Sequence, residues 1–552
     1  MAGKRLLRVA VEGCCHGELD KIYDTMRHLE TQSGKAIDLL ICCGDFQAVR
    51  NLDDLECLAC PPKYRALNTF WKYYTGRAKA PYPTLFIGGN HEAMNYLWEL
   101  YYGGWVAPNI YYLGHAGVVR FGGIRIGGMS GIYNGGHYKQ GHWEKPPYDN
   151  SSMRSAYHIR ELDVYRLLQI QRPLDVFLSH DWPRGIAHHG NKAQLLRAKP
   201  FLRQEIEEGS LGSPPGEQIL HELQPSHWFS AHLHVKYAAL VVHSQQQHGQ
   251  QQQGQGRGQK RKSPSRGPSP PPGLGQKGKD NFTKFLALDK CLPRRGFLQV
   301  VEFPDVEGPL EFGYDEEWLG VLQATHHLMS TTRQQTPLPG KLKQHMQKCK
   351  DYTFHCMGGS RSAVSDAQLQ QLTEKLQQQN SGAIPLNFVP TAPGHDPSAP
   401  NAKGRMPRQS PRNPQTERFL EMLGLPYNLD QQFRQSVQPK PDPQELQIDE
   451  TAAANPEEIE LDDGDDDGDD RCDEASAEAV SEAAEAAKQD LGDDNSMFQS
   501  DSLHNFDANA AVQAQGAQMA TQDKSVVSAA LAAIVPTASA ADEQNKDEGH
   551  VQ

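Results

Sequence analysis

The chain has 552 residues, ten of them cysteine, a net charge of -13 and only 8% aromatic residues. Its length suits two or three domains of roughly 100–200 residues each, but a mean hydropathy of -0.66 implies that not all of it folds. No run approaches the ~18 consecutive apolar residues of a membrane span. The start, MAGKRLLRVAVEGCCHGELD, lacks the apolar core and cleavage site of a signal peptide. No membrane partner is expected, and a cytosolic or nuclear protein follows.

In chain order, residues 1–243 read as one α/β unit. Short apolar runs at Leu6–Val11, Ile37–Cys43, Thr84–Ile87, Gly117–Gly127, Asp175–Leu178 and His227–Ser230 each fit a buried strand. Helical patterns at Asp20–Glu30 and Tyr157–Gln171 lie between some of them, which predicts a sheet covered by helices. Residues 244–280 are Gln-, Gly-, Ser- and Pro-rich, and are expected to be a disordered basic insertion. Within them, Lys260-Arg261-Lys262 fits a nuclear import signal. Residues 281–360 resume a folded pattern, with a strand at Phe297–Phe303 and a helix in GYDEEWLGVLQATHHLMS, as a smaller C-terminal domain. Residues 361–441 read as a low-complexity linker with one amphipathic patch, ERFLEMLGL. Residues 442–552 read as an acidic disordered tail.

The charge divides along the same line. From Asp442 onward there are 29 acidic and 4 basic residues, which leaves 51 basic against 39 acidic before it. A body of net +12 suits a polyanionic partner such as RNA. The vicinal pairs Cys14-Cys15 and Cys42-Cys43 do not resemble a disulfide framework. Cys57-x-x-Cys60 has no second pair at zinc-finger spacing and reads as buried packing.

Five short motifs follow predicted strands in order. They are Cys14-x-His16, Gly44-Asp45, Gly89-Asn90-His91-Glu92, Ser179-His180-Asp181 and His232-x-His234. Loops at one edge of an α/β sheet bring such residues together. Their chemistry suits phosphoester hydrolysis. A phosphodiester is anionic and has a poor leaving group; two metals roughly 3.5–4 Å apart bind it, activate a water and stabilise both oxygens. Imidazole and carboxylate suit iron, zinc and manganese. Asp45 can bridge two ions, Asn90 adds a neutral ligand, and His91 is placed to protonate the leaving oxygen.

This ordered set resembles the calcineurin-like metallophosphoesterases, whose pattern is D-x-H, GD, GNH[DE], H and GHxH. The resemblance implies their α/β sandwich, with one or two divalent transition metals per site: Fe(II), Zn or Mn. It places Cys14, His16, Asp45 and His234 in one pocket and Asp45, Asn90, His180 and His232 in the other, with His91 as acid. Two positions depart from the pattern: Cys14 replaces the first Asp, and Ala231 replaces the glycine before His232. VEGCCHGELDKIY, ICCGDFQAVRN, FIGGNHEA, GGMSGIYNGGHY, LSHDWPRGI, FSAHLHVKY and FLALDKCLPRR resemble the RNA lariat debranching enzymes over most of residues 5–360. That resemblance implies hydrolysis of the 2′–5′ bond at the branch of lariat intron RNA, a nuclear location and splicing-associated partners.

The segment from Gly128 to Tyr157 reads as a long loop. Tyr133, Tyr138, His142 and Trp143 can stack on splayed bases, while Lys139 and Lys145 meet phosphates. In the family it looks like the lariat recognition loop. Two other functions share parts of the pattern: a Ser/Thr protein phosphatase, whose GD-x-V-D-R-G the run Gly44–Arg50 does not match, and a non-catalytic splicing scaffold with the same fold.

Overall fold

Strands that are apolar on both faces need cover on both sides. The computed structural model, which describes residues 3–243, 281–339, 364–378, 382–399 and 402–430, supplies that cover as a sandwich. Its strands are β1 (Arg5–Glu12), β2 (Leu39–Cys42), β3 (Thr84–Phe86), β4 (Gly104–Ala107) and β5 (Ile110–Tyr112), then β6 (Ala116–Phe121), β7 (Ile124–Met129), β8 (Val176–Ser179) and β9 (His227–Ser230), and finally β10 (Tyr237–Val242), β11 (Phe282–Ala287), β12 (Leu298–Val306) and β13 (Gly313–Tyr314). One sheet runs β12-β1-β2-β3-β5-β4 and the other β10-β11-β9-β8-β7-β6-β13.

The period-2 geometry of a strand sorts the side chains. Val9 and Val11 of β1, with Leu39 and Ile41 of β2, join Ile126, Val176, Leu178 and Phe229 of the other sheet in one core. Ala10, Leu40 and Cys42 point the other way, against Leu19, Ile22 and Met26 of the helix Leu19–Ser33. Gly34 ends that helix in the left-handed region, with its N–H on the Glu30 carbonyl.

The predicted single strand Gly117–Gly127 is a hairpin, β6 and β7. Gly122 and Gly123, at φ +60° and +95°, turn the chain between them. A Cβ on Gly123 would lie 2.3 Å from the Glu307 carbonyl oxygen, so only glycine fits this tip. The predicted helix Tyr157–Gln171 shrinks to Glu161–Leu167 because His158 pairs with Ile132 in a β-bridge instead.

The C-terminal region does more than pack on the first unit. β12 lies antiparallel beside β1, and β11 sits between β9 and β10, so residues from this region complete both sheets. The linker expected over 361–441 is corrected where it is described. The helices Asp366–Gln378 and Pro414–Leu423 form there, and the chain around them docks on the catalytic unit. Thr391 bonds Arg50 and Glu99, and Phe388 packs against Tyr74 at 5.6 Å. Anchors of this kind are single polar or aromatic side chains, which leave no periodic signal in a Pro- and Asn-rich sequence. The insertion, with Lys260-Arg261-Lys262, and the acidic tail lie outside the described residues.

Gln415 shows the docking at its most specific. Its Oε1 accepts from the Trp105 N–H and its Nε2 donates to the Trp105 carbonyl, both at 2.8 Å, so an amide side chain pairs with the edge strand β4. Gln415→Ala should destabilise the protein by about 1–3 kcal/mol, the cost of leaving buried backbone groups unpaired. A urea midpoint unchanged at constant slope would remove this contact from the account of stability.

Candidate metal centre

β1, β2 and β3 of one sheet and β8 and β9 of the other end at the same edge. The loops leaving them carry Cys14 and His16, Asp45, Asn90 and His91, His180, and His232 and His234 in turn. The structure therefore brings every predicted ligand to one place. His16, Asp45, His232 and His234 all hold positive φ, between 45° and 66°. Each such residue costs of order 1–3 kcal/mol, and strain of this kind persists where the surroundings over-determine it.

Asp45 is the centre. Its Oδ1 accepts from the His91 backbone N–H at 2.9 Å and lies 3.3 Å from His180 Nε2, while Oδ2 lies 3.8 Å from His16 Nε2. Burial opposes its charge, but the imidazoles of His180, His91 and His16 outweigh burial and hold the carboxyl well below its usual range. The surrounding glycines are required by contact. A Cβ on Gly89 would lie 2.1 Å from Asp45 Oδ1, and one on Gly44 would lie 2.2 Å from His180 Nδ1.

In the first pocket, ligand atoms of Cys14, His16, Asp45 and His234 all lie within 4.8 Å of one another. A thiol, two imidazoles and a carboxylate make a donor set that fits a first-row divalent ion. The Cys14 Sγ also accepts from the His232 N–H at 3.3 Å, and burial pushes its thiol well above the usual range. In the second pocket, His180 Nδ1 donates to the Cys43 carbonyl at 2.9 Å. That bond orients Nε2, 3.2 Å from Asn90 Oδ1, as the coordinating nitrogen. The His232 ring stands 5.0 Å from that of His180. His91 is half-buried at the mouth, its ring 5.7 Å from His16.

Glu92 staples two of these loops. Its carboxylate accepts from the N–H groups of Phe46 at 2.7 Å, Gln47 at 2.9 Å and Gly89 at 3.0 Å. Burial, reinforced by the Asp45 charge, pushes it up to about 8 against the pull of those amides.

Sequence reading missed two supports. Gln47 Nε2 lies 3.1 Å from His16 Nδ1. The Asp289 carbonyl accepts the Cys14 N–H, and Cys291 N–H bonds back to the Cys14 carbonyl. Gly13 was the available signal, since a Cβ there would lie 2.1 Å from the Asp289 oxygen.

The loop expected from Gly128 to Tyr157 is corrected: it begins after β7 ends at Met129, and it contains the short helices Gly135–Tyr138 and Asn150–Ser155. Tyr133 holds its backbone N–H on Asp181 Oδ2 at 3.2 Å, and its ring lies 5.6 Å from that of Tyr138. Lys139 is exposed and Lys145 half-buried. Trp143 is half-buried, its Nε1 on Gln140 and one face under the Arg333 guanidinium at 4.0 Å. His142 requires a correction. It is buried, with Nε2 3.0 Å from Asp163 Oδ2, among Trp98, Tyr101 and His115, and so holds the loop from beneath instead of stacking on a base. His137 pairs with His158 across 2.7 Å, away from the ligand set.

Arg50 bears on the phosphatase alternative. It is 2% exposed, bonded to Asp54 and Glu99, with its guanidinium 3.9 Å over the Tyr96 ring. It has no access to a phosphate.

Gly89→Ala should weaken metal binding by roughly 10–100-fold, the scale of disturbing a ligand's support. Chelator competition that returns the original affinity would show that the Gly89–Asp45 contact tolerates a methyl group.

Two family models match the chain: the calcineurin-like phosphoesterases over residues 7–236 and the lariat debranching enzyme C-terminal domain over residues 280–428. The chain is 44% identical to lariat debranching enzyme A of Xenopus laevis, across 83% of this chain and 82% of that one. It is 47% identical to the lariat debranching enzyme of Homo sapiens, across 76% and 69%. With the lariat debranching enzyme of Arabidopsis thaliana the identity is 45%, across 77% and 88%. A phosphoesterase ligand set with a thiol in place of its first carboxylate, closed by a C-terminal region of this kind, agrees with those matches, and the chain belongs to the lariat debranching enzyme family.

Proposed function

We propose that this protein hydrolyses the 2′–5′ phosphodiester bond at the branch point of excised lariat introns, so that the intron becomes linear and open to degradation. The observation that carries this reading is the two-pocket ligand set around Asp45, with Cys14 at the position that is aspartate in the wider superfamily.

One or two divalent ions, Fe(II), Zn or Mn, would supply Lewis acidity toward the phosphate and lower the pKa of a water. Cys14, a soft donor, favours zinc or iron(II) over magnesium. The chain's own residues do the rest. Asp45, held by its imidazole neighbours, is the carboxylate common to both pockets. His91, pinned at its backbone to Asp45 and half-exposed, gives its proton to the departing ribose oxygen as the phosphorus–oxygen bond breaks. The loop anchored through Tyr133 and His142 presents Tyr138, Lys139 and Trp143 toward the branched strand.

A substrate made by splicing, together with the basic triplet Lys260-Arg261-Lys262, supports a nuclear location beside splicing-associated proteins. Imaging the tagged full chain tests that, and cytoplasmic confinement would contradict it.

The direct test uses metal-stripped protein with Fe(II), Zn or Mn restored singly, on a branched RNA beside a linear 3′–5′ control. Metal-dependent release at the 2′–5′ linkage alone is expected. Equal cleavage of both would leave a general phosphodiesterase, and cleavage of neither would leave a scaffold. His91→Ala should keep its metal and lose ~10²–10⁴-fold in kcat, the usual worth of a general acid. Full activity would remove His91 from that role. Cys14→Asp should shift the preference among added ions toward manganese over zinc, and an unchanged order of activities would detach Cys14 from metal choice.

A further inference from the structure

A basic, aromatic patch that none of the five motifs includes adjoins the segment packed on Cys14. Asp289 and Lys290 lie directly behind Cys14. Residue 289 accepts the Cys14 N–H, and Lys290 forms a β-bridge with Cys14. Lys290 is also among the positive groups that bear on His234. Arg295 reaches Asp289 Oδ1 at 3.6 Å, and Lys199 stands close enough to act on the same carboxylate. Lys199 precedes the short turn Pro200–Leu202, in which Leu202 is fully buried. Anchored by Leu202, Phe201 is left 54% exposed, with the Lys199 ammonium 5.9 Å over its ring.

A lone exposed phenylalanine needs no explanation. One that stands under a lysine, which with Arg295 bears on Asp289 next to Lys290, has the composition of a single-strand surface: cations for the backbone and an aromatic face for a base. The recognition loop lies on the other flank, tied to Asp181 next to His180 of the second pocket. A branch nucleotide joins three RNA arms, and one loop cannot guide all of them.

We propose that Phe201, with Lys199, Lys290 and Arg295, forms a second RNA surface on the Cys14 side of the metal centre, which stacks a base and grips the phosphates of one arm of the branched substrate. This inference rests on the debranching reading and adds to it a path for the second arm.

The test uses the full-length holoenzyme and two branched RNAs that differ only in arm length, one with single-nucleotide arms and one with long arms. Phe201→Ala should raise KM for the long-armed RNA by about tenfold, the scale of one lost stacking contact, and raise it far less for the short-armed one. Phe201→Trp should restore the long-armed KM. Lys199→Ala should flatten the salt dependence of long-armed binding by about 0.7 in log–log slope, one phosphate contact on a single strand. Leu310→Ser, an exposed apolar site elsewhere, serves as the surface control. If wild-type protein cleaves the branch but Phe201→Ala changes KM equally for both RNAs, or for neither, the second surface is overturned and the debranching reading stands. If wild-type protein cleaves neither branched RNA, the debranching reading falls, and the surface with it.

Discussion

The site depends on one buried carboxylate. Asp45 is 1% exposed, and a bare charge there would cost several kcal/mol. Its two oxygens are shared among a backbone N–H and two imidazoles, which is what makes the charge tenable before any cation is added. That sharing dictates much else. It leaves no room for a Cβ on Gly44 or Gly89. It sets Asp45 and His16 in the left-handed region, and it needs Glu92 to hold the two loops together from behind. The motif glycines are thus consequences of close approach to Asp45 and His180, and the imidazoles of His180, His91 and His16 offset the Asp45 charge.

The first pocket depends equally on chain that lies far away in sequence. β12 pairs with β1 along its length, and the segment 288–291 grips Cys14 through two backbone hydrogen bonds. Cys14 is therefore held in position by the C-terminal region that closes the sheet. The insertion at 244–280 sits between β10 and β11, antiparallel neighbours, where a long connection disturbs no pairing. Arg50 extends the same dependence. It follows the Gly44-Asp45 motif, and its charge is spent holding Glu99 and Thr391, not a substrate. The run that begins like a phosphatase motif ends as a clamp for the C-terminal segment.

The ligand set was legible because each motif sits at the end of an apolar run, and residue type together with order is a dense signal. The strands β1, β2, β3, β8 and β9 were legible for the same reason. What escaped was held by contacts that have no period. The hairpin β6–β7 was read as one strand because two turn glycines lie inside an apolar stretch. The docking of 382–399 and 402–430 rests on Gln415, Asn413, Thr391 and Phe388, and of all this only the amphipathic patch ERFLEMLGL, which forms most of the helix Pro414–Leu423, showed in the sequence. His142 was misread because an imidazole in an aromatic loop carries no mark of its partner. Asp163, 21 residues on, decides that it faces inward.

The adjacent pair His180-Asp181 joins the second pocket to the long loop. His180 turns its Nε2 to Asp45 and Asn90, while Asp181 takes the backbone N–H of Tyr133 at the base of the long loop. The next residue, Trp182, donates its Nε1–H to the Ala231 carbonyl at 2.7 Å, immediately before His232. Three consecutive side chains thus fix the second pocket, the recognition loop and the last ligand strand relative to one another. A loop free to swing would lose entropy each time it gripped RNA. A loop whose root shares a strand end with His180 is already oriented, so contact between it and RNA would not carry that loss. His142, buried beneath the loop and held by Asp163, adds to the same rigidity and keeps the loop at a fixed separation from the ligand set.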